Sequence, residues 1–146
     1  MSIKPSRAKH EGSDRFRIFS PCHAVFHPIA LRQGSGVIVS PRTAAYVYGV
    51  VSGGGGGGGV DRGSGGAGGG LAAGLRKVNP GASLPYVVGS SGSAASSGGT
   101  STFMDLLATG GQGASLNAGY KTAPGIGITA GYPGDITRSG GRGGAG

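Results

Sequence analysis

The residues best suited to metal chemistry lie together near the N-terminus. Cys22, His23 and His27 fall within the short sequence CHAVFH. A thiolate and two imidazoles are zinc ligands, but a closed structural zinc site takes four ligands, and His10 is the only other histidine. Cys22 is the sole cysteine, so it forms no disulfide within the chain. We therefore expect a partly buried cysteine beside turn histidines, with no metal and no other cofactor.

Residue types that perform catalysis are present without the spacing that catalysis needs. The acidic residues are scattered and form no paired-carboxylate motif: Glu11, Asp14, Asp61, Asp105 and Asp135. Serines are abundant, but the histidines all precede residue 28, and no G-x-S-x-G elbow is followed by one. The glycine clusters lack both the GK[ST] ending of a P-loop and the helix that follows a phosphate-binding loop. The sequence predicts a protein that is not an enzyme.

Surface recognition is the remaining chemistry that the residue types suggest. Aromatic side chains in a glycine background are natural contact residues for sugars or protein surfaces, so the candidates are Tyr120, Lys121 and Tyr132. The alternative is that these tyrosines cover a small core.

Residues 1–20 are predicted to form an extended basic arm, because Pro5, Gly12 and Ser13 oppose regular structure. Its basic residues are Lys4, Arg7, Lys9, Arg15 and Arg17. The net charge of the chain is +8, which suits nucleic acid or an acidic protein surface equally. The aromatic content is only 6%, and no aromatic residues are interleaved with the charges as in single-strand binders. The pattern therefore does not favour nucleic acid.

Residues 21–52 are predicted to form short β segments. HAVFHPIALR and GVIVSPRTAAYVYGVV are rich in valine, isoleucine and aromatic residues, with prolines at edge or turn positions. In YVYGVV, the set Tyr46, Tyr48 and Val50 alternates with Val47, Gly49 and Val51, so that one face is able to cover a core. Further along, LAAGLRKV is predicted to be a short strand or a turn, and the strand is favoured because Gly74 would interrupt a helix. The predicted fold class is all-β, with short strands and long glycine-rich loops.

Residues 53–146 hold most of the 36 glycines and are predicted to be a glycine-rich domain. Collagen is excluded because glycine does not recur at every third position. A flexible linker is disfavoured because large apolar residues recur from Leu71 to Leu107, and we expect this set to be mostly buried. No apolar run approaches the ~20 residues of a spanning helix, and no secretory leader is visible. We expect synthesis in the cytoplasm and no membrane insertion.

An ordered set of short sequences runs from Tyr46 to Gly146. It comprises YVYGVVSGGGGGGG, GGAGGGLAAGLRKVNPGASLPYVVGSSGSA, SGGTSTF, LLATGGQG and PGDITRSGGRGGAG. This set resembles the glycine-rich domain of bacteriophage tail-fibre and related phage tail proteins, and it includes non-glycine positions such as Asn79, Pro80, Thr100, Phe103 and Asp135. The first 40 residues carry no such resemblance.

The resemblance implies a role for the glycine run at residues 53–59. Glycine segments of this kind adopt a polyproline-II-type helix with about three residues per turn, and without side chains such helices pack closely together. Their buried amides must then find partners on neighbouring segments. The alternative is a mobile loop between two strands.

The function implied by the resemblance is that of a structural virion protein of a phage tail, either a fibre or a baseplate-attached component. The basic arm would dock on other tail or baseplate proteins, and exposed loops would contribute to attachment to a host surface receptor. The alternatives are a receptor-binding adhesin tip protein and a non-viral polyglycine-type surface protein. A small core and edge strands such as YVYGVV favour a symmetric homo-oligomer, and the resemblance implies a trimer.

Overall fold

The structure, a computed structural model, describes residues 29, 31, 34–59, 64–114 and 122–144. The chain divides into two compact units, Met1–Ala30 and Leu31–Gly146, and within the first unit only Ile29 is described. The described residues form eight strands and no helix. The predicted all-β fold class is confirmed, whereas the basic arm at residues 1–20 lies outside the described residues.

The strands form two sheets in which every pair is antiparallel. The five-stranded sheet contains, in spatial order, β1 (Gly34–Val39), β4 (Ser83–Val88), β5 (Ser101–Phe103), β6 (Leu106–Ala108) and β7 (Gly127–Ile128). The three-stranded sheet contains, in spatial order, β2 (Tyr46–Ser52), β3 (Leu71–Lys77) and β8 (Ile136–Arg138).

The alternation predicted for YVYGVV is present in β2. Gly49 and Val51 are buried, whereas Tyr46, Tyr48 and Val50 are exposed. Successive side chains of a strand point to opposite faces of the sheet, so the pattern buries one face of β2 and leaves the other in solvent. The predicted strand within LAAGLRKV is also present, as β3.

The hydrophobic core lies between the two sheets and is built largely from small side chains. Val51 and Ala72 from the three-stranded sheet cluster with Leu106 and Ala108 from the five-stranded sheet, and Phe103 packs against them. Such a core buries little apolar surface, so the fold needs other interactions as well.

The expected burial of the apolar set from Leu71 to Leu107 is only partly observed. Val78 and Leu84 are buried, but Leu75, Val87 and Met104 are exposed. Leu75 and Val87 alternate with buried or half-buried neighbours and lie on the outer faces of their sheets, while Met104 lies in the turn between β5 and β6. Two sheets that pack face to face bury only the surfaces that meet. The number of apolar residues between Leu71 and Leu107 therefore predicted a larger core than the structure has.

Candidate functional site

Glycine-rich segments continue from the ends of the strands and contact one another. We call them the glycine bundle, which consists of residues 53–59, 64–70, 89–93, 96–100, 109–114, 122–126 and 139–144. Residues 53–59 leave the sheet at the end of β2, and residues 64–70 lead into β3. The strands therefore hold the ends of these segments side by side.

Backbone N–H groups of residues 53–59 are shared between two neighbours in a three-residue rhythm. Every third N–H donates to residues 64–70: Gly53 to Gly70 (2.9 Å), Gly56 to Ala67 (2.8 Å) and Gly59 to Ser64 (3.1 Å). The next position along donates to residues 96–100: Gly54 to Gly99 (2.9 Å) and Gly57 to Ser96 (2.9 Å). Three residues along the chain therefore return the N–H group to the same side of the segment.

Carbonyl groups of the same segment accept hydrogen bonds with the same rhythm. Gly54 and Gly57 accept from residues 109–114, through the N–H groups of Gly111 (2.9 Å) and Ala114 (2.9 Å). Gly55 accepts from the N–H of Gly92 at 2.7 Å. The hydrogen bonds of residues 53–59 therefore reach neighbouring segments on several sides, while the remaining side, at Gly55 and Gly58, is exposed to solvent.

Most glycines of this segment lie where a side chain has no room. A Cβ atom on Gly53, Gly54, Gly56 or Gly57 would overlap a backbone carbonyl oxygen of a neighbouring segment. At Gly55 the nearest atom would be 3.9 Å away, and at Gly58 nothing lies within 4 Å. Real Cβ atoms do not approach other atoms as closely as a Cβ at Gly53, Gly54, Gly56 or Gly57 would. Close packing of the backbones therefore excludes every other residue type at these four positions.

A second feature is a charged cluster centred on Arg76 of β3. The Arg76 side chain is only 6% exposed and donates to two carboxylates. Its Nε and Nη2 lie 2.5 Å and 2.6 Å from Oδ1 and Oδ2 of Asp105, and its Nη1 and Nη2 lie 2.7 Å and 3.0 Å from Oδ1 and Oδ2 of Asp135. Bidentate pairing of this kind satisfies the guanidinium in a fixed geometry.

Protonation of the cluster follows from these contacts. Hydrogen bonds from Arg76 lower the pKa of Asp105 and of Asp135 below their ordinary value, against the opposing effect of desolvation. The two carboxylates in turn raise the pKa of Arg76, first through the hydrogen bonds to Asp105. All of these groups are therefore charged at neutral pH.

Two turns position the carboxylates. Asp105 lies in the turn between β5 and β6, and Asp135 ends the turn Tyr132–Asp135 just before β8. In that second turn the N–H of Asp135 donates to the Tyr132 carbonyl at 3.0 Å, and Gly134 has φ +86°. Proline at the second position and glycine with positive φ at the third are typical of a type II turn. The Tyr132 ring lies over the guanidinium, with its centroid 4.9 Å from Cζ of Arg76.

An open cavity of about 560 Å³ lies beside this cluster. Arg76 and Asp105 form part of its lining, together with Tyr46, Leu75, Lys77, Met104 and Tyr132. The cavity thus combines two aromatic rings and two apolar side chains with charged groups from β3 and from the β5–β6 turn.

Of the predicted recognition residues, Tyr132 is exposed and lines the cavity, whereas Tyr120 and Lys121 lie outside the described residues. The predicted attachment residues of the basic arm, and the cysteine and histidines considered for zinc, also lie outside them. Among the described residues, no group of three or more histidine, cysteine or acidic side chains is arranged so that it could hold a metal ion.

Sequence reasoning missed the Arg76 cluster. Asp105 and Asp135 are separated from Arg76 by 29 and 59 positions, so nothing in their spacing indicated an ion pair. One signal was present: in LAAGLRK, Arg76 shares its strand face with Ala72 and Gly74, which are both small and suited to burial. A charged residue on such a face requires a buried partner.

No protein-family model matches the chain, and no curated protein has a significant match to it. In the part of the chain that the structure describes, no helix has the length and apolarity needed to cross a membrane.

Proposed function

We propose that this chain is a structural protein of a bacteriophage tail, and that its glycine bundle is a rigid element of packed polyglycine-II-type segments. The sequence resemblance supports the tail role, and the three-residue rhythm of hydrogen bonds from residues 53–59 supports the packed segments. A polyproline-II-type helix has about three residues per turn, so every third N–H group points in the same direction. The rhythm favours packed segments over the mobile-loop alternative.

The glycine bundle suits a mechanical role rather than a chemical one. Its hydrogen bonds join backbone groups directly, and several of its glycine positions exclude side chains. Fixing so many glycines costs a large amount of backbone entropy, which the hydrogen bonds between neighbouring segments offset collectively. We propose that the glycine bundle is a stiff module without catalytic activity, as expected for a fibre or a baseplate-attached component.

Attachment to the particle is assigned to the basic arm. Under this proposal residues 1–20 dock on an acidic surface of another tail or baseplate protein, and the chain resides in the virion tail after synthesis in the host cytoplasm. The net charge of +8 supports an acidic partner. The module itself is proposed to be a homo-oligomer, with a trimer implied by the resemblance to tail-fibre proteins.

A receptor-binding adhesin tip is the second candidate. The observation that favours it is the exposed tyrosine, Tyr132, at the edge of the open cavity. An adhesin needs an accessible recognition surface on a rigid support, and this loop stands on the sheet that carries the Arg76 cluster.

Particle composition tests the tail proposal. Purified phage particles whose genome encodes this chain should contain it, by mass spectrometry, and immunogold labelling should locate it on the tail. A chain lacking residues 1–20 should remain soluble and be missing from particles. Absence of the full-length chain from particles would exclude a virion role, whereas normal incorporation of the shortened chain would move the anchor elsewhere.

A further inference from the structure

The cavity beside Arg76 has the dimensions of a small-molecule site. Its volume of about 560 Å³ lies within the roughly 300–1,000 Å³ that ligand pockets occupy. Tyr46 and Tyr132 are 60% and 57% exposed as residues, so both are accessible to a ligand. The Asp105 side chain is 34% exposed, so the carboxylate that anchors Arg76 also reaches solvent.

The polar part of the cavity is held in place before any ligand arrives. Both oxygens of Asp105 accept hydrogen bonds from Arg76, which fixes the plane of the carboxylate. Tyr132 is held by its turn, since its N–H donates to Oδ2 of Asp135 at 3.1 Å and its ring lies over Arg76. Groups that are fixed in advance lose little conformational entropy when a ligand binds.

Met104 forms part of the cavity wall in a constrained backbone conformation. Its backbone φ is +55°, a left-handed conformation that glycine adopts freely and that methionine adopts at a cost. The residue lies at the tip of the β5–β6 turn and lines the cavity. The adjacent Asp105, locked onto Arg76, keeps the turn in this conformation and keeps the methionine at the cavity wall.

The charges around the cavity favour a neutral ligand. Arg76, Lys77 and Asp105 line the cavity, and Asp135, which does not line it, pairs with Arg76, so the charges of the whole cluster balance. Arg76 is also fully engaged by its two carboxylates. An anionic ligand would have to compete with Asp105 and Asp135 for the guanidinium, which makes a carboxylate or phosphate ligand a poor match.

We infer that this cavity binds a neutral saccharide. A sugar ring presents an apolar face of C–H groups that suits an exposed tyrosine ring, and hydroxyl groups that donate to a fixed carboxylate such as Asp105. Lys77 at the cavity supplies a donor for a ring or hydroxyl oxygen. The inference rests on the proposed tail function only for the source of the saccharide, which would be a glycan of the host surface.

The test measures binding of defined sugars to the full chain. The probes are D-glucose, D-galactose, D-mannose and N-acetyl-D-glucosamine, each at millimolar concentration, with D-glucuronic acid as a charged comparison. Saturation-transfer NMR should detect binding of at least one neutral sugar and weaker binding of D-glucuronic acid. Tyr46→Ala should weaken the binding about tenfold or more, as loss of an aromatic anchor does.

Tyr48→Ala is the matched control, because Tyr48 lies on the same strand face as Tyr46 with 54% exposure and does not line the cavity. This variant should bind like the unaltered chain, and thermal melting should show both variants folded. The inference is overturned if no neutral sugar in the panel binds, if Tyr46→Ala and Tyr48→Ala bind equally, or if only D-glucuronic acid is bound. Sugar binding by a chain that is absent from phage particles would overturn the tail proposal and leave the site intact.

Discussion

The guanidinium of Arg76 and the carboxylate of Asp105 meet through two parallel hydrogen bonds, at 2.5 Å and 2.6 Å. Arg76 belongs to the three-stranded sheet, and Asp105 belongs to the turn between two strands of the five-stranded sheet. Asp135, just before β8, completes the cluster from the other side. The cluster therefore joins the two sheets at one end of a core that contains few large side chains.

Replacement of Arg76 by alanine should destabilise the fold. The substitution leaves Asp135, which is 6% exposed, without the cation that compensates its charge. Removing one partner of a well-paired ion cluster is destabilising, and the partial exposure of Asp105 moderates the loss. Urea unfolding of the full chain measures the loss. Arg138→Ala, at an exposed position of β8, is the control and should change stability little; equal effects of the two substitutions would show that the cluster is not a structural link.

Stability should fall in acid because of the same cluster. The folded-state pKa values of Asp105 and Asp135 are lowered, chiefly by hydrogen bonds from Arg76. Their contribution is therefore complete above the unfolded-state value of about 3.9 and is lost as the pH falls through the lowered folded-state values. The raised pKa of Arg76 keeps its charge throughout this window.

Urea midpoints measured from about pH 7 down to about pH 2 check this dependence. The drop should be concentrated below about pH 4, and it should shrink in a chain carrying Asp105→Asn together with Asp135→Asn. A drop of the same size in that double variant would assign the acid sensitivity to other groups.

Local sequence patterns predicted the strands where alternation was strong. The alternation of side chains along YVYGVV predicted β2, and the low helix propensity of Gly74 predicted β3. Both signals depend on only a few neighbouring residues. The sequence predicted too many buried residues between Leu71 and Leu107. Leu75 and Val87 are exposed because they lie on the sheet faces that do not meet the other sheet. Which faces meet is decided by the packing of distant segments.

The state of the glycine run and the Arg76 cluster were beyond sequence reasoning for a related reason. A run such as residues 53–59 has no side chains whose periodicity distinguishes packed segments from a loop, and its hydrogen bonds go to residues as distant as Gly111 and Ala114. Arg76 likewise meets its partners only after both sheets have formed. Tyr132 was selected for its residue type, whereas Tyr46 was assigned only to a strand.

Alanine substitutions at two nearby glycines, Gly56 and Gly58, should differ in their effect on stability. At Gly56 the added Cβ overlaps the backbone carbonyl of Gln112, so Gly56→Ala should destabilise the fold by about 1–3 kcal/mol, as overpacking does. At Gly58 nothing lies within 4 Å of the Cβ position, so Gly58→Ala should be neutral or stabilise by up to about 1 kcal/mol through the unfolded state. Thermal melting compares the two variants. Similar melting temperatures would mean that residues 53–59 are not closely packed.

A trimer should be observed in solution. Val37, Val39, Val87 and Ile128 are exposed on the five-stranded sheet and supply apolar area for contacts between copies. Light scattering coupled to size-exclusion chromatography measures the mass. Val37→Lys should dissociate the oligomer, whereas Val50→Lys, on the outer face of the other sheet with similar exposure (58% against 59%), should leave it intact. A monomer at all concentrations would contradict the proposal and favour a subunit stabilised by unlike neighbours.

Hydrogen exchange of glycine amides, followed by NMR on the chain labelled with ¹⁵N-glycine, tests the packed glycine bundle most directly. The amides of Gly54, Gly56 and Gly57 donate to carbonyls of other segments, so they should exchange slowly, through opening of the fold rather than through local motion. Exchange of these amides at the rate of unstructured glycine, while the amides of Gly49 in β2 and Gly74 in β3 remain protected, would contradict the account and identify residues 53–59 as a mobile loop.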